Sequence, residues 1–345
     1  MLPVVIHAGC YKTATSTIQA IAQKNRVLFL EAFGVLYPKT GSRANQGIPD
    51  PDSVAHHLLF HAAKAALDAS AGDESYVANR TKLAAEIRKK DARRLLVSTE
   101  LLSFAPPPVK DRFLGYFDGL SDDVSVVYAV RRPDEMIDSM NNQMLRAGRG
   151  RTRSRELVDY SKDIEHWQAR LGADRVKVLY FSKSGYEAYL RRIFALAGAD
   201  LAHPGTVTEV YANAPMTLSG FVIRGMVFDR LKSKNVEIDR ALRHALNVAI
   251  APIEEKLSPS PKVVTLGAED RVRILEANRA EIDAVKTWLS AEDRLALEEE
   301  YRQGLSGPHP EKNVEGRASL DKDDITTICR GLIASPVLHD LLARD

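Results

Sequence analysis

The chain has 345 residues, of which 45% are hydrophobic and 27% are charged. This composition supports a full globular core and excludes general disorder. Because 48 Lys and Arg residues nearly balance 46 Asp and Glu residues, the formal net charge is only +2. Such a charge excludes a strong overall attraction to nucleic acid or to an anionic membrane, so any anion binding must be local.

The cysteines and the hydropathy bear on the compartment. Cys10 and Cys329 are the only cysteines, which is too few for a disulfide framework and is typical of a reducing compartment. The N-terminus lacks the basic region and the apolar stretch of a signal peptide. No run of about 18 apolar residues predicts a membrane span. We therefore expect a cytoplasmic protein without a membrane span.

Apolar, β-branched runs alternate with helical patterns in the first half of the chain. Four runs fit strands that are buried on both faces, at residues 3–7, 94–98, 125–130 and 176–181. Helical patterns occupy the stretches between them, at residues 15–33, 77–90, 134–147 and 156–171. This alternation predicts an α/β fold, with a P-loop-like, mainly parallel sheet flanked by helices.

Helical patterns dominate beyond about residue 205. They cover residues 218–231, 239–250 and 269–289, and Ser290 then has the position of an N-cap. We predict a nucleotide-binding core at residues 1–205 and a helical C-terminal region at residues 206–345 that packs on this core. Ligands of a parallel sheet bind beyond the carboxyl ends of its strands, so candidate site residues are sought there.

The first candidate site is residues 9–17, here called the anion loop, between the first predicted strand and the first helix. Backbone N–H groups at the helix start would point into this loop. Lys12 adds a positive charge, and further donors are the hydroxyls of Thr13, Thr15, Ser16 and Thr17. This combination suits phosphate or sulfate. Nucleoside triphosphatases need glycine directly before the lysine, where Tyr11 stands, which disfavours ATP.

The anion loop resembles the 5′-phosphosulfate loop of sulfotransferases, which use 3′-phosphoadenosine 5′-phosphosulfate (PAPS) as donor. That motif is written as lysine, threonine or serine, glycine, threonine, threonine, often followed by Leu-Gln or Ile-Gln. Here it is Lys12-Thr13-Ala14-Thr15-Ser16, followed by Ile18-Gln19. Because Ala14 occupies the usual glycine position, its backbone must avoid a strongly positive φ or bear strain.

A second motif begins where the third predicted strand ends. Arg131 lies at the strand end, and Ser139 follows eight residues later in a helix that starts at Pro133. Arginine offers a planar fork that matches phosphate. The pair resembles the site at which sulfotransferases hold the 3′-phosphate of PAPS. The resemblance covers about residues 3–200 and is nearest to the bacterial-type branch of the family.

The acceptor of the sulfuryl group must lose a proton, so a base is expected at the same sheet edge. Glu100 is the first candidate, because it directly follows a predicted strand and because glutamate is the base in some carbohydrate-directed sulfotransferases. A structural ion pair or cap is its alternative role. His57 is the second candidate, since histidine titrates in the useful range; His56 lies beside it. His7 is expected to support the first strand.

The resemblance implies a sulfotransferase that moves a sulfuryl group from PAPS to a hydroxyl or amine, without a metal, and releases adenosine 3′,5′-bisphosphate. The acceptor would be a carbohydrate or another small metabolite. The alternatives are a P-loop nucleotide kinase or phosphotransferase, and a non-catalytic PAPS-binding protein. No prediction of the oligomeric state follows.

Residues 146–155 carry five arginines and two glycines. This basic loop would cover the donor phosphates, attract an acidic acceptor, or simply be solvated. No aromatic residues interleave with its arginines, so nucleic acid is not an expected partner.

Overall fold

The computed structural model of the protein describes residues 2–42, 54–68, 73–146, 157–209, 217–238, 240–257, 260–313 and 322–335. Five strands form one sheet within these ranges: β1 (Val4–His7), β2 (Val35–Leu36), β3 (Arg94–Ser98), β4 (Val124–Val130) and β5 (Val176–Tyr180). All neighbouring strands pair in parallel, in the order β2-β3-β1-β4-β5. The fold is therefore α/β, as predicted, with a parallel sheet flanked by helices.

Fourteen α-helices lie within the described residues. The first eight are α1 (Thr15–Lys24), α2 (Arg26–Phe33), α3 (His57–Ala65), α4 (Glu74–Lys90), α5 (Pro107–Leu114), α6 (Pro133–Arg146), α7 (Tyr160–Leu171) and α8 (Tyr186–Leu196). The others are α9 (Leu218–Ser233), α10 (Arg240–Glu254), α11 (Ala268–Ala277), α12 (Arg279–Lys286), α13 (Ala291–Ser306) and α14 (Lys322–Ala334). Short 3-10 helices span Glu100–Leu102 and Ala173–Arg175.

The central strand of the sheet is β1, which lies between β3 and β4. In the register, His7 of β1 stands beside Ser98 of β3 and beside Val127 of β4. Because parallel strands end at one edge of a sheet, the anion loop after β1 and residues 99–100 after β3 share that edge. Arg131 follows β4 at the same edge.

One face of the sheet packs against α1, α2 and α8. Its buried cluster combines every second strand residue with apolar residues of these helices, including Val5, Leu96, Val127, Leu179, Ile18, Phe29 and Phe194. On another side, α7 packs against β4 and β5. The anion loop thus joins a buried central strand to a helix whose own face is buried, and both of its ends are held by the core.

The four predicted strands are confirmed, each to within one residue at either end. The fifth strand, β2, has only two residues and is too short for a hydrophobic pattern to predict. The helix predicted after Ser290 is also confirmed, because the N–H of Asp293 donates to Ser290 Oγ over 3.1 Å.

Two helices that were predicted as continuous are each divided at an asparagine. Asn25 separates α1 from α2, and Asn278 separates α11 from α12. The side-chain oxygen of Asn25 accepts the N–H of Val207 at 2.7 Å, and that of Asn278 accepts the N–H of Val158 at 2.9 Å. A polar side chain that binds a distant backbone group competes with helix continuation, which explains both breaks.

The chain divides into two compact units, and neither is one continuous stretch. The first contains the whole sheet and comprises Met1–Pro133, Leu157–Ala212 and Ala277–Gln303. The second comprises Asp134–Glu156, Asn213–Glu276 and Gly304–Asp345, with an apolar core from α9, α10 and α14. The boundary between residues 205 and 206 stays a prediction. Within the described ranges, no helix is long and apolar enough to cross a membrane.

Candidate active site

The anion loop extends the path of β1 beyond the strand. The N–H groups of Ala8 and Cys10 donate to the carbonyl oxygens of Val127 and Ala129 in β4, each over 3.1 Å. The hydroxyl of Thr13 then closes the loop by donating to the Cys10 carbonyl oxygen over 2.6 Å. The hydroxyl hydrogen of Thr13 is thus used within the loop. These bonds preorganise the loop backbone, which lowers the cost of binding a ligand there.

Two residues of the anion loop have left-handed backbone. Lys12 has a φ of 67° and Ala14 a φ of 60°. Of the two outcomes expected for Ala14, the structure shows the strained one, since left-handed backbone costs a non-glycine residue about 1–2 kcal/mol. Ala14 is also the N-cap of α1, and its methyl group cannot accept a hydrogen bond from the first-turn N–H groups. These donors suit an anionic ligand.

The remaining loop residues surround this helix start. Thr15, Ser16 and Thr17 form the first turn of α1; Thr15 and Thr17 are buried, and Ser16 is half-buried. Lys12 is half-buried at the same turn. The structure therefore brings the predicted lysine and hydroxyl residues together around one helix N-terminus, where the partial positive charge of the helix adds to that of Lys12.

Arg131 is built into the support of the anion loop. Its Nη1 donates to the carbonyl oxygen of Lys12 over 2.6 Å, and its guanidinium lies 5.1 Å from the ring centroid of Phe181. Tyr160 donates its hydroxyl to the Arg131 carbonyl over 2.7 Å. Ser139 is half-buried and lies in α6, in the second unit. Its predicted role beside Arg131 remains a hypothesis.

The two candidate bases, Glu100 and His57, lie side by side. His57 Nε2 is 3.5 Å from Glu100 Oε1, and His57 Nδ1 is 2.9 Å from Thr99 Oγ1. Burial alone would raise the pKa of Glu100. The hydrogen bond and charge of His57, together with a hydrogen bond from Gln19, outweigh burial and hold this pKa at about 2. Glu100 is therefore a carboxylate at neutral pH and by itself a weak base.

A residue of the helix that carries the anion loop contacts this pair. Gln19 of α1 donates from Nε2 to Glu100 Oε2 over 3.0 Å and to Ser98 Oγ over 3.2 Å. Ser98 Oγ is in turn 2.9 Å from His7 Nδ1. The sequence predicts Gln19 only as part of the Ile18-Gln19 pair of the motif. Its contacts with Glu100 and Ser98 depend on the pairing of β1 with β3. Gln19 therefore links the helix that follows the anion loop to the Glu100–His57 pair.

The other two histidines at this edge support the fold. His56 Nδ1 accepts the N–H of Ser98 over 3.0 Å, and its Nε2 lies 3.0 Å from the carbonyl oxygen of Pro38. His7 is fully buried beneath the loop. Burial lowers the pKa of both His7 and His56 to about 4, so both are neutral at pH 7. The supporting role expected of His7 agrees with its place in the central strand.

Aromatic residues line the site on the side of Glu100. Tyr11 and Phe104 are half-buried, and their rings stack with centroids 6.4 Å apart and planes 20° apart. Burial, with the charge of Glu100 as the next cause, raises the pKa of Tyr11 to about 12. Phe104 has a φ of 58°, and its N–H donates to Asp163 Oδ2 over 2.6 Å. A pattern search misses such residues because loop positions bring them together.

Ser103, the residue before Phe104, contacts the backbone at the start of the anion loop. Ser103 is buried, and its hydroxyl lies 2.9 Å from the carbonyl oxygens of both Ala8 and Gly9. Asp163, which holds Phe104, is itself paired with buried Lys110 and accepts the Tyr128 hydroxyl over 2.9 Å. These contacts hold the turn after Glu100 against the loop.

Two further features concern charged clusters. Of the basic loop at residues 146–155, Arg146 ends α6, and residues 147–155 lie outside the described ranges. In the part of the chain that the structure describes, no group of three or more His, Cys, Asp or Glu residues is placed to hold a metal ion.

Comparisons with known proteins add little to this geometry. No protein-family model matches the chain, and no curated protein matches it in sequence. Among solved structures, a sulfotransferase from Alicyclobacillus acidocaldarius is similar with 14% sequence identity and a TM-score of 0.35, over 73% of this chain and 92% of its own. A likeness this distant carries no functional argument.

Proposed function

We propose that the chain is a sulfotransferase that moves a sulfuryl group from PAPS to a hydroxyl or amine acceptor. One observation carries the proposal: Gln19 joins the helix of a preorganised, lysine-bearing anion loop to an acid–base pair through a 3.0 Å hydrogen bond. Transfer of an anionic group needs both parts, a cradle for the departing anion and a proton acceptor for the incoming nucleophile.

In the proposed reaction, the acceptor oxygen or nitrogen attacks the sulfur of PAPS in line with the bond that breaks. The S–O bond to the 5′-phosphate breaks, and its electron pair stays on that phosphate, which leaves as adenosine 3′,5′-bisphosphate. Lys12 and the first-turn N–H groups of α1 stabilise the growing negative charge there. The donor-binding set comprises Lys12, Thr13, Ala14, Thr15, Ser16 and Thr17, with Arg131 and Ser139 for the 3′-phosphate.

We assign the acceptor proton to the Glu100–His57 pair. His57 Nε2 and Glu100 Oε1 lie 3.5 Å apart, and both side chains are 14% exposed, so an acceptor hydroxyl would contact the pair from this exposed side. A carboxylate with a pKa of about 2 retains a proton poorly, which favours His57 as the group that holds it. Glu100 then orients the His57 ring for this task.

The aromatic pair supports a ring-shaped acceptor. Tyr11 and Phe104 present half-buried rings beside the Glu100 carboxylate, and aromatic rings offer a large apolar surface on which the C–H groups of a ring can pack. A carbohydrate or another small cyclic metabolite fits this chemistry. The proposal also includes a cytoplasmic location and a nucleotide-binding core that ends near residue 205.

Binding and transfer assays together test the proposal. Calorimetry should show tight binding of adenosine 3′,5′-bisphosphate and weak binding of ATP with Mg²⁺; the reverse preference would indicate a nucleotide kinase. PAPS labelled with ³⁵S is then offered with glycans, phenols, lipids and small alcohols. Label in an acceptor supports the sulfotransferase. Nucleotide binding without transfer to any acceptor would instead indicate a non-catalytic PAPS-binding protein, for which the strained Ala14 would be the structural reason.

A further inference from the structure

Gln19 occupies a position that is unusual for an amide side chain. It lies in the second turn of α1, it is only 1% exposed, and its Nε2 bridges Glu100 Oε2 and Ser98 Oγ. A carboxylate only accepts hydrogen bonds, so the amide nitrogen, not the oxygen, must face Glu100. Both hydrogens of the Gln19 amide are thereby used, one for each partner.

The direction of these bonds extends to the central strand. Ser98 Oγ accepts a hydrogen from Gln19 and lies 2.9 Å from Nδ1 of buried His7. The chain of hydrogen bonds therefore runs from Glu100 through Gln19 and Ser98 to β1.

We propose that Gln19 is a positioning residue, whose side-chain amide holds the Glu100 carboxylate against His57 and so aligns the acid–base pair with the anion loop. The inference rests on the proposed function, because it assigns a task to Gln19 within that site. Glu100 Oε1 faces His57 while Gln19 holds Oε2. Without the Gln19 amide, the buried Oε2 of Glu100 loses a hydrogen-bond donor. The carboxylate must then turn toward a different donor.

Among the described residues, the titratable groups that interact electrostatically with Glu100 include His57 from α3, His7 from β1, Tyr11 from the anion loop and Tyr37 after β2. A second carboxylate at position 19 would therefore meet Glu100 at close range. Two such carboxylates cannot both ionise easily, and they share one proton with a raised apparent pKa.

The test compares Gln19→Glu with the matched variant Gln23→Glu. Gln23 lies one turn further along α1, and its amide oxygen has no hydrogen-bond partner among the described residues. With ¹³C-labelled glutamate carboxyls, NMR should show a titration in Gln19→Glu at least one pH unit above that of the carboxyl added in Gln23→Glu. Equal midpoints in the two variants would overturn the proposal, and this readout requires no catalysis.

Folding of the variant provides a second readout. A proton shared by residues 19 and 100 stabilises the folded state at low pH and is lost as the pH rises through the raised pKa. Gln19→Glu should thus be more stable toward urea at pH 5 than at pH 8, relative to Gln23→Glu. A Gln19→Glu variant that is unfolded to the same extent at pH 5 and at pH 8 would contradict the proposed contact between residue 19 and Glu100.

Gln19→Met separates positioning from binding, with Gln23→Met as its control. We expect at least a tenfold loss of kcat for sulfuryl transfer in Gln19→Met, with adenosine 3′,5′-bisphosphate bound within about twofold of the unchanged protein. Unchanged kcat would refute the positioning role. If the unchanged protein transfers no sulfuryl group at all, the proposed function fails. The NMR titration then still decides whether the side chain at position 19 contacts Glu100.

Discussion

The guanidinium of Arg131 donates a hydrogen bond from Nη1 to the carbonyl oxygen of Lys12 over 2.6 Å. An arginine at the end of β4 thus holds the backbone of a residue that itself has a φ of 67°. The charged donor stabilises the left-handed turn of the loop. Arg131 therefore has a structural task in the anion loop as well as its proposed contact with the donor.

We predict that Arg131→Ala weakens binding of adenosine 3′,5′-bisphosphate by at least tenfold, or about 1.4 kcal/mol, because both tasks are lost. Ser139→Ala should weaken it less, since only one hydroxyl is removed. Arg132→Ala is the control, because the neighbouring Arg132 donates to the carbonyl oxygen of Glu300. Calorimetry measures all three. Wild-type affinity in Arg131→Ala would exclude it from the donor site.

Lys12→Ala should lose most of its turnover and a smaller share of its nucleotide affinity, because the lysine charge matters most when the leaving phosphate becomes negative. The expected loss of kcat is about 10²–10³-fold, typical for removal of one transition-state donor. Lys24→Ala, at the far end of α1, is the control. Equal rates for Lys12→Ala and the unchanged protein in the ³⁵S transfer assay would refute the assignment.

Ala14→Gly should stabilise the protein by up to about 1 kcal/mol, since glycine has left-handed backbone at little cost, partly offset by its greater unfolded-state entropy. Gly9→Ala should destabilise it, because a Cβ there would lie 2.7 Å from His7 Nε2. Urea unfolding measures both. A less stable Ala14→Gly would mean that the positive φ of 60° is not strained.

Glu100→Gln and His57→Asn should both reduce kcat within the roughly 10²–10⁴-fold range of general acid–base catalysis. The double variant should lose little more than either single variant, because the two residues act as one pair. Transfer rates against pH measure this. A much smaller loss in His57→Asn than in Glu100→Gln would restore Glu100 as the base on its own, and fully additive losses would mean that they act separately.

Stability should fall in mild acid because of two buried histidines. Burial lowers the pKa of His7 and His56 to about 4, below the ordinary value near 6.5 that applies in the unfolded chain. The unfolded state thus binds more protons between these values, so this stability is present above about pH 6.5 and is lost toward pH 4. Each histidine should remove about 2 kcal/mol between pH 7 and pH 5.

Urea unfolding at several pH values measures this slope, and His56→Gln is the variant to compare. It should be less stable at pH 7, yet it should lose less stability on acidification because one buried titrating group is gone. A slope equal to that of the unchanged protein would show that His56 is already protonated or is solvated in the folded state.

Hydrophobic patterns were sufficient to predict β1, β3, β4 and β5, since buried parallel strands need continuous apolar runs. They were also sufficient to locate the anion loop and Glu100, because both directly follow such runs. The contact of Gln19 with Glu100 could not be read in this way. It joins residues that are 81 positions apart and depends on the register that sets His7 beside Ser98.

For Ala14, the sequence predicted backbone strain only as one of two possible outcomes. The motif showed that Ala14 stands where glycine is usual, but the sign of its φ depends on how Arg131, Thr13 and Tyr189 hold the loop. The breaks at Asn25 and Asn278 escaped prediction for the same reason, because their partners lie far along the chain.

The central position of β1 affects how the protein is made. This strand is synthesised first, yet one of its edges pairs with β4, and Ser125 follows Val4 by 121 residues. At about 5–20 residues per second, the ribosome needs roughly 6–24 s to supply that partner. Until then the strand has an open apolar edge that can pair wrongly. Because Ala8 and Cys10 bind β4 carbonyls, a nascent chain that ends before β4 cannot complete the anion loop.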